Sequence, residues 1–292
     1  MAEARDDSVV VGVDGSGSAL DAVRVAAREA QLRQRPLHVV HAFTWAMMPG
    51  NLAGSVASPR DPGLRQAAER VVADAVAEAE KSAPGVPVTG SVRDGAPATV
   101  LLHYARPGAL LVIGDRGLGG FSGLVLGSVA IQVVAHAACP VLVVKGDLAT
   151  TGPVVVGVDG SESSERAIGF AFEEAAARDV PLVAVLAWRY PEPTGIDEEA
   201  LPLIYDQDDL MREEARVLEN AVAEWCARYP GVRVTRRLHP GRPGKVLVDE
   251  SEQASLVVVG ARGLGGFKGL LLGSVSHAVL YHAHCPVAVV HQ

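Results

Sequence analysis

The sequence predicts a duplicated α/β protein, with two tandem open parallel sheets of five strands and helices on both faces of each sheet. Two observations lead to this prediction. In each half, short apolar segments of strand length alternate with segments in which alanine and valine recur at helical spacing. In addition, the same motifs occur in the same order in both halves, with a period of about 145 residues, which is an ordinary domain size.

The first half begins with a strand that is predicted to be buried on both faces. Residues 8–13 are a run of valines that does not alternate with polar residues, and such runs are typical of parallel sheets. Asp14-Gly15-Ser16 then predicts a turn, and Ser16 or Ser18 can cap the following helix. The remaining pattern predicts strands over 37–43, 86–92, 109–114 and 140–145, helices over 19–30, 64–82, 96–105 and 128–136, and a loop over 45–62.

The repeat places a domain boundary between residues 146 and 152. This short stretch is polar and has a glycine at each end, and it separates a first domain over 1–146 from a second over 152–292. The motifs that return are Val11-Gly12-Val13-Asp14-Gly15-Ser16 as Val156-Gly157-Val158-Asp159-Gly160-Ser161, Gly95-Ala96-Pro97 as Gly241-Arg242-Pro243, and Cys139-Pro140-Val141 as Cys285-Pro286-Val287.

The composition is that of a soluble globular protein, with 49% hydrophobic and 21% charged residues. A net charge of −8 and a pI of about 5.6 argue against the basic face that a nucleic-acid partner would need. No apolar run approaches the roughly 18 residues of a membrane span, and the start of the chain has no signal-peptide pattern. Three cysteines are a sparse and odd set, which favours a reducing compartment, so we expect a cytoplasmic protein.

Each half carries the pattern Gly-x2-Gly-x9-Gly-Ser after its fourth predicted strand. Glycine lets a backbone approach an anion closely, and the N–H groups of a helix N-terminus point at that anion. Two copies with identical internal spacing therefore predict two nucleotide phosphate sites. The first loop comprises Gly114, Asp115, Arg116, Gly117, Leu118, Gly119, Gly120, Gly127, Ser128 and Val129, and the second comprises Gly260, Ala261, Arg262, Gly263, Leu264, Gly265, Gly266, Gly273, Ser274 and Val275.

Two other phosphate-binding motifs are excluded. The P-loop pattern Gly-x4-Gly-Lys-Ser/Thr fails at Gly241-Arg242-Pro243-Gly244-Lys245, because the spacing of the glycines is too short and Lys245 is followed by Val246. The pattern Gly-x-Gly-x-x-Gly fails at its last glycine in both loops, where Ser122 and Lys268 stand.

These motifs resemble the universal stress protein family, in its tandem ATP-binding branch. The resemblance rests on the strand followed by Asp-Gly-Ser, the glycine loop before the last helix, and Cys-Pro-Val at the last strand, and it covers residues 6–146 and 152–292. It implies a Rossmann-like fold with strand order 3-2-1-4-5, in which strands one and four are neighbours at the ligand crevice. Together with the doubled motif it implies ATP as the ligand, two per chain, with or without Mg²⁺, a role in stress response, and a homodimer.

The resemblance also assigns residues at the strand ends to the nucleotide. The aspartates would lie by the ribose or the metal, the glycines along the nucleotide, and the alanine backbone by the adenine. These residues are Gly12, Val13, Asp14 and Ala42 in the first half and Gly157, Val158, Asp159 and Ala187 in the second.

The leading interpretation is a nucleotide-dependent sensor or regulatory module with no catalytic residue. Hydrolysis needs a group that positions water, and neither loop contains a histidine or a glutamate. A slow ATPase or other nucleotide-cleaving enzyme on the same fold is the runner-up, and a nucleotide-free interaction protein is the third interpretation. The aspartates could instead be helix caps. Cys139 and Cys285 are interpreted as packed core thiols rather than metal ligands.

Two further expectations concern the fifth strands and the charges of the loops. Residues 141–144 and 287–290 are apolar runs at an expected sheet edge, so we expect them to pair, either with each other or between chains. The first loop carries Asp115 and Arg116, whereas the second carries Arg262 and Lys268. We therefore expect the second loop to hold a metal-free triphosphate more tightly, and Asp115 to be an extra group for magnesium in the first.

Overall fold

The computed structural model describes residues 7–44, 62–118, 126–148, 151–188, 207–264 and 271–291. The predicted loop over 45–62 lies outside these ranges, apart from Pro62, which begins a helix. The first half contains β1 (Val9–Val13), α1 (Gly17–Arg33), β2 (Leu37–Phe43), α2 (Pro62–Ser82), β3 (Val88–Asp94), α3 (Pro97–Tyr104), β4 (Leu110–Gly114), α4 (Ser128–His136) and β5 (Val141–Val144). The second half contains β6 (Val154–Val158), α5 (Glu162–Arg178), β7 (Leu182–Trp188), α6 (Gln207–Arg228), β8 (Val234–Pro240), α7 (Pro243–Glu250), β9 (Leu256–Gly260), α8 (Ser274–His282) and β10 (Val287–Val290).

The first compact unit comprises residues 1–146 together with 286–291. Its strands are hydrogen-bonded in the order β3-β2-β1-β4-β5-β10, and all neighbours are parallel except β10, which is antiparallel to β5. The predicted order 3-2-1-4-5 is thus confirmed in the first half. The predicted count of five strands is wrong for this unit, because a sixth strand is added from the C-terminal end of the chain.

The second compact unit comprises residues 147–285, with the last residue of the chain. Its four strands are parallel and have the order β9-β6-β7-β8. The predicted fold class, a mostly parallel sheet with helices, is confirmed, although the strand count again differs from five. In this unit β6 and β9 are neighbours, as β1 and β4 are in the first, so the predicted adjacency of strands one and four holds in both.

The apolar edge of the first sheet is covered within the first unit. Val141 and Val143 of β5 lie opposite Val289 and Val287 of β10, and all four side chains are buried. The predicted pairing of the two fifth strands is therefore confirmed. Because β10 already satisfies the edge of β5, that edge gives no reason to expect a second chain, and the homodimer stays a prediction from the family resemblance.

The first helix of each half begins at the predicted serine. The Oγ of Ser16 accepts a hydrogen bond from the backbone N–H of Ala19, and the Oγ of Ser161 accepts one from Ser164, both at 3.2 Å. Ser16 and Ser18 were both predicted as possible caps of α1, and Ser16 is the residue that caps the helix. These caps fix the point at which the chain turns from β1 or β6 into a helix, and so they fix the position of the aspartate that precedes each serine.

The pairs of helices packed on each sheet use different contacts at equivalent positions. In the first half, Arg24 on α1 donates from Nε to Glu78 on α2 at 2.6 Å. In the second half, Gly169 occupies the equivalent place on α5, and a side chain there would overlap the ring of Trp225 on α6. Trp225 in turn stacks on Phe172, with ring centroids 6.2 Å apart. The duplicated helices have thus kept their positions while an ion pair was exchanged for aromatic packing.

Cys139 and Cys285 are both buried, with exposed fractions of 2% and 1%. Burial raises the pKa of the Cys139 thiol to about 12, although a backbone hydrogen bond involving Leu111 lowers it. Within the described ranges, His, Cys, Asp and Glu side chains form no group of three that could hold a metal ion. Over the same ranges, no helix combines the length and the apolar character that a membrane crossing needs.

His38 is a buried titratable group between β2, β3 and α3, with an exposed fraction of 3%. Its ring nitrogens lie 2.7 Å from Thr89 Oγ1 and 3.0 Å from Ser91 Oγ, and its ring centroid lies 5.3 Å from that of Tyr104. Burial, and then the positive charge of Arg93, lower the pKa of His38 below its usual value of 6.5. The folded protein therefore favours the neutral ring.

We predict that the stability of the first unit depends on pH through His38. Because the folded pKa is lowered, this contribution is fully present above the unfolded pKa of 6.5 and is lost as the pH falls below it. The second half carries Val183 at the equivalent position, so His38→Val is the matched variant. Urea unfolding at about pH 7.5 and about pH 5.5 should show a drop in unfolding free energy that is larger for the original protein than for the variant. An equal drop in both proteins would contradict the prediction.

Candidate functional site

A cavity of about 500 Å³ lies in the second unit, at the carboxyl ends of the neighbouring strands β6 and β9. Ligand cavities in proteins typically measure roughly 300–1,000 Å³, so a small organic molecule fits. In open α/β sheets, this is also the place where ligands bind. The lining residues are Gly157, Val158, Asp159, Ser164, Val185, Ala187, Pro243, Leu247, Val259, Gly260, Arg262, Gly263, Leu264, Leu272, Gly273, Ser274, Val275 and Ser276.

The apolar and polar parts of the lining come from different elements. Val185 and Ala187 on β7, Val259 on β9 and Leu247 on α7 supply an apolar wall. The loop after β9 and the first turn of α8 supply backbone N–H groups, hydroxyl groups and the guanidinium of Arg262. The cavity therefore combines a surface for a flat apolar group with a set of donors for an anion.

The helices that follow the glycine loops begin without a side-chain cap. Gly127 and Gly273 are the N-cap residues of α4 and α8, and neither has a side chain that could accept from the first-turn N–H groups. The backbone N–H of each glycine donates to the loop carbonyl at position 115 or 261, at 2.8 Å in both halves. The start of each helix is thus hydrogen-bonded to the loop, and its first turn has no side-chain cap.

The aspartate after the first strand of each half holds the glycine loop through its backbone. Asp14 Oδ2 accepts from the N–H of Leu118 at 2.8 Å, and Asp159 Oδ2 accepts from the N–H of Leu264 at 3.2 Å. The other carboxylate oxygen accepts from the serine N–H two residues later, at 2.9 and 3.0 Å. Each aspartate therefore joins the two loops that the sequence predicted to share one crevice.

This contact explains the second glycine of each loop. A Cβ built at Gly117 would overlap Asp14 Oδ2, and one built at Gly263 would overlap Asp159 Oδ2. The sequence argument attributed these glycines to close approach of a phosphate. In the structure, the group that already occupies the space is the carboxylate of the protein itself.

We predict that the Leu264 amide is protected from hydrogen exchange by Asp159. Asp159→Ala removes the acceptor, and Gly263→Ala displaces the loop from it, so either variant should speed exchange at this amide about tenfold or more, because a hydrogen bond to a charged group is worth roughly 1.5–3 kcal/mol. Gly231→Ala is the matched control, since no atom lies within 4 Å of a Cβ at that position. Unchanged exchange in both test variants would show that the carboxylate does not hold the loop.

The first loop has an aspartate, Asp115, whose side chain makes two contacts that the second loop lacks. Asp115 Oδ1 accepts from the Oγ of Ser18 in the first turn of α1 at 2.7 Å, and Asp115 Oδ2 lies 3.4 Å from Arg116 Nε. The equivalent of Asp115 is the buried Ala261. There, the loop is instead fastened by Ser276, whose Oγ donates to the carbonyl of Ala261 at 3.0 Å. Asp115 is thus partnered within the protein, which weakens the expectation that it is an extra group for magnesium.

The structure brings most of the predicted second-half residues together around the cavity. Ala261 lies outside the lining, and Gly265 and Gly266 fall outside the described residues, as do Gly119 and Gly120 in the first loop. The predicted residues that line the cavity are Gly157, Val158, Asp159, Ala187, Gly260, Arg262, Gly263, Leu264, Gly273, Ser274 and Val275.

In the first half, the equivalent residues lie at the carboxyl ends of the neighbouring strands β1 and β4. Asp14 contacts Leu118 as described, and Asp115 is joined to Gly127. Ala42 lies one residue beyond His41, which pairs with Val13. Ser128 is exposed at the start of α4. The geometry of the two halves is the same at each of these points.

Gly12 and Gly157 have a packing role that the sequence did not indicate. A Cβ at Gly12 would lie 2.9 Å from two methyl groups of Leu101, and one at Gly157 would lie 2.8 Å from Leu247. Each glycine thus makes room for a leucine of α3 or α7. Gly157 also lines the cavity, so the two roles coexist in the second half.

Several lining residues were missed by the sequence analysis. Val185, Leu247 and Val259 are apolar residues in a strand or helix, and their pattern cannot be told from that of core positions. Pro243 carried a usable signal, because the motif of glycine, any residue and proline recurs in both halves. The other missed residues are Ser164, Leu272 and Ser276.

Fold and cavity together define an open α/β protein with a cavity at the carboxyl ends of the first and fourth strands of its second half. The universal stress protein family model matches residues 7–145 and again 150–291. A universal stress protein of Mycolicibacterium smegmatis is 37% identical over 298 residues, which span 98% of each chain. One from Mycobacterium tuberculosis is 37% identical over 296 residues, spanning 96% of this chain and 95% of that relative.

A solved structure agrees in fold. The crystal structure of a universal stress protein from Archaeoglobus fulgidus superposes with a TM-score of 0.71 at 19% identity, covering 99% of this chain and 97% of that one. The chain therefore belongs to the universal stress protein family, with two family domains in tandem.

Proposed function

We propose that this protein is an ATP-binding regulatory module of the stress response, with one adenine nucleotide bound in each half. The observation that carries the proposal is the cavity of the second unit. Its walls contain both motifs that recur in the two halves, namely the aspartate turn after β6 and the glycine loop with its helix after β9. A crevice built from two repeated motifs is a binding site rather than a packing defect.

Phosphate groups suit the polar side of this cavity. The N-terminus of α8 has a glycine in place of a capping side chain, and Ser274, Val275 and Ser276 of its first turn line the cavity. Backbone N–H groups at a helix start, with the helix dipole behind them, stabilise an anion. The guanidinium of Arg262 lines the same cavity and adds a full positive charge.

An adenine base suits the apolar side. Val185, Ala187, Leu247 and Val259 present a surface on which a flat ring can be buried. The backbone of Ala187 lies just beyond the last paired residues of β6 and β7, Val158 and Leu186. Ala187 still pairs with His239 of β8, but on the β6 side the backbone of β7 extends past its last paired residue and can meet the edge of a base.

The lining supports binding and regulation rather than cleavage. Among the described residues that line the cavity, Asp159 is the one carboxylate, and no histidine is present. Both oxygens of Asp159 accept backbone N–H groups, so the carboxylate is committed to holding the loops. A nucleotide-cleaving enzyme needs a group that positions water at the phosphate.

The same proposal includes a cytoplasmic location, a homodimer and a Mg²⁺ ion that accompanies the nucleotide. They are supported by the family relationship and by the sparse cysteines, two of which are buried thiols.

We predict that nucleotide-stripped protein binds two ATP molecules per chain. Calorimetry on the full-length chain should give a stoichiometry of about two, because each half carries its own aspartate turn and glycine loop, and typical nucleotide pockets are independent units. Mass spectrometry of the nucleotide released from denatured protein identifies what is bound in the cell. A clean absence of binding for ATP and for AMP would refute the proposal.

We further predict that Gly117→Ala and Gly263→Ala each weaken one site and spare the other. The added methyl group displaces the loop from the aspartate of the same half, and the loss of one charge-assisted bond lowers the affinity about tenfold or more. Gly231→Ala should leave both sites unchanged. If the double variant binds two ATP molecules with unchanged affinity, the loops are structural only.

A further inference from the structure

The two halves present the same backbone to a ligand but different charges. Asp115 stands in the first loop where the second has Ala261, while Arg116 and Arg262 are equivalent. We propose that the two sites select ligands of different charge, so that the second site prefers the nucleoside triphosphate and the first accepts nucleotides with fewer phosphates almost equally well. This inference rests on the proposed nucleotide binding and concerns how that binding is divided between the sites.

In the first unit, the loop arginine is compensated by an acid inside the loop. Arg116 Nε lies 3.4 Å from Asp115 Oδ2, and the Asp115 side chain is only 14% exposed. A carboxylate that is mostly buried is screened less by salt and water than a surface carboxylate. Its field therefore opposes the approach of each additional phosphate to the first loop.

Asp115 is held in this position by the rest of the unit. Ser18 Oγ donates to its carboxylate, and its backbone carbonyl accepts from the N–H of Gly127, which begins the helix at the phosphate side of the site. The first turn of α1 contains no acidic residue, so Asp115 also supplies the negative charge that a helix start favours. The carboxylate cannot turn away into solvent without losing its contacts with Ser18 and Arg116.

In the second unit, Ala261 stands in place of Asp115, so the loop sequence contains no acid. Arg262 lines the cavity itself. Arg242 is the N-cap residue of α7 and directly precedes Pro243, which lines the cavity, whereas the first half has Ala96 there. The sequence places Lys268 in the same loop, outside the described residues, where the first half has Ser122.

The acidic residues at the start of α5 do not cancel the difference in charge between the two loops. Glu162 and Glu165 lie in the first turn of α5, and both are exposed. Glu162 pairs with Arg166 at 2.9 Å, and its side chain is 65% exposed. Charges of this kind on a wet surface are strongly screened, whereas Asp115 is within the loop that would surround the phosphates.

The backbone geometry allows the residues at positions 115 and 261 to be exchanged reciprocally. Gly114 precedes Asp115 and lies against Ser18, and Gly260 precedes Ala261 and lies against the equivalent Ser163. A Cβ built on each glycine would be 3.0 Å from the carbonyl carbon of Ser18 and 2.9 Å from that of Ser163, so the two approaches are alike. An aspartate at position 261 would thus meet Ser163 as Asp115 meets Ser18. The exchange tests charge with little change in shape.

The test uses the full-length chain with one site disabled at a time. Gly117→Asp disables the first site and Gly263→Asp the second, since a larger side chain at either glycine meets the aspartate of its own half. Calorimetry without metal at about 50 mM salt then gives the affinities for ATP, AMP and adenosine at the remaining site. Adenosine is neutral and reports the base and ribose contacts alone.

We predict that the ratio of ATP affinity to adenosine affinity is about tenfold higher at the second site than at the first, and that it converges at about 300 mM salt. Asp115→Asn should raise the ratio at the first site, and Ala261→Asp should lower it at the second. Asp115→Asn keeps a partner for Ser18, and Ala261→Asn is the control for added bulk without charge. Adenosine affinity should stay within about twofold throughout.

Three outcomes separate the possible failures. The charge selectivity would be overturned if the ratio of ATP affinity to adenosine affinity were equal at the two sites, or if Asp115→Asn and Ala261→Asp left that ratio unchanged. Nucleotide binding itself would still stand. A loss of adenosine affinity as large as that of ATP would show that the exchange acts through folding of the loop, and would also overturn the charge selectivity. Failure of both sites to bind either ligand would refute the proposed function itself.

Discussion

The close approach of a carboxylate to a glycine holds the candidate site of each half in shape. Asp14 and Asp159 each end a buried strand, and each reaches across to a backbone N–H of a loop that is about a hundred residues away in sequence. The approach is possible only because Gly117 and Gly263 have no side chain. The glycine loop and the first turn of the helix that follows it are placed by this contact and by the parallel pairing of the two strands below them.

The duplication shows which features of the fold resist change. The caps, the aspartate–loop contact and the glycine–leucine contact are the same in both halves to within a few tenths of an ångström. By contrast, the contact between the outer helices changed from Arg24 and Glu78 to Gly169 and Trp225. Packing between helices can be remade by exchanging one group for another of suitable volume, whereas a backbone hydrogen bond at a strand end has few alternatives.

Much of the fold follows from local sequence patterns, because period and turn chemistry are local properties. The valine runs, the capping serines and the doubled glycine loop predicted the elements, whereas the strand order and the shared crevice were implied by the family resemblance. The place of β10 did not follow, because its sequence position assigns it to the second half, while the structure groups it with the first sheet. Which edge a short apolar strand joins is decided by the tertiary structure. The Ser18–Asp115 contact and the space that Gly12 leaves for Leu101 are likewise long-range, and so the sequence marked the residues without revealing what they touch.

The position of β10 has a consequence for folding. The sheet of the first unit is completed by residues 287–290, which lie in the other half of the sequence. Until β10 pairs, β5 presents an apolar edge with unpaired backbone groups, which is a surface prone to wrong pairing. The last strand of the first sheet is thus added by a contact between residues far apart in sequence, which is a slow kind of contact to form.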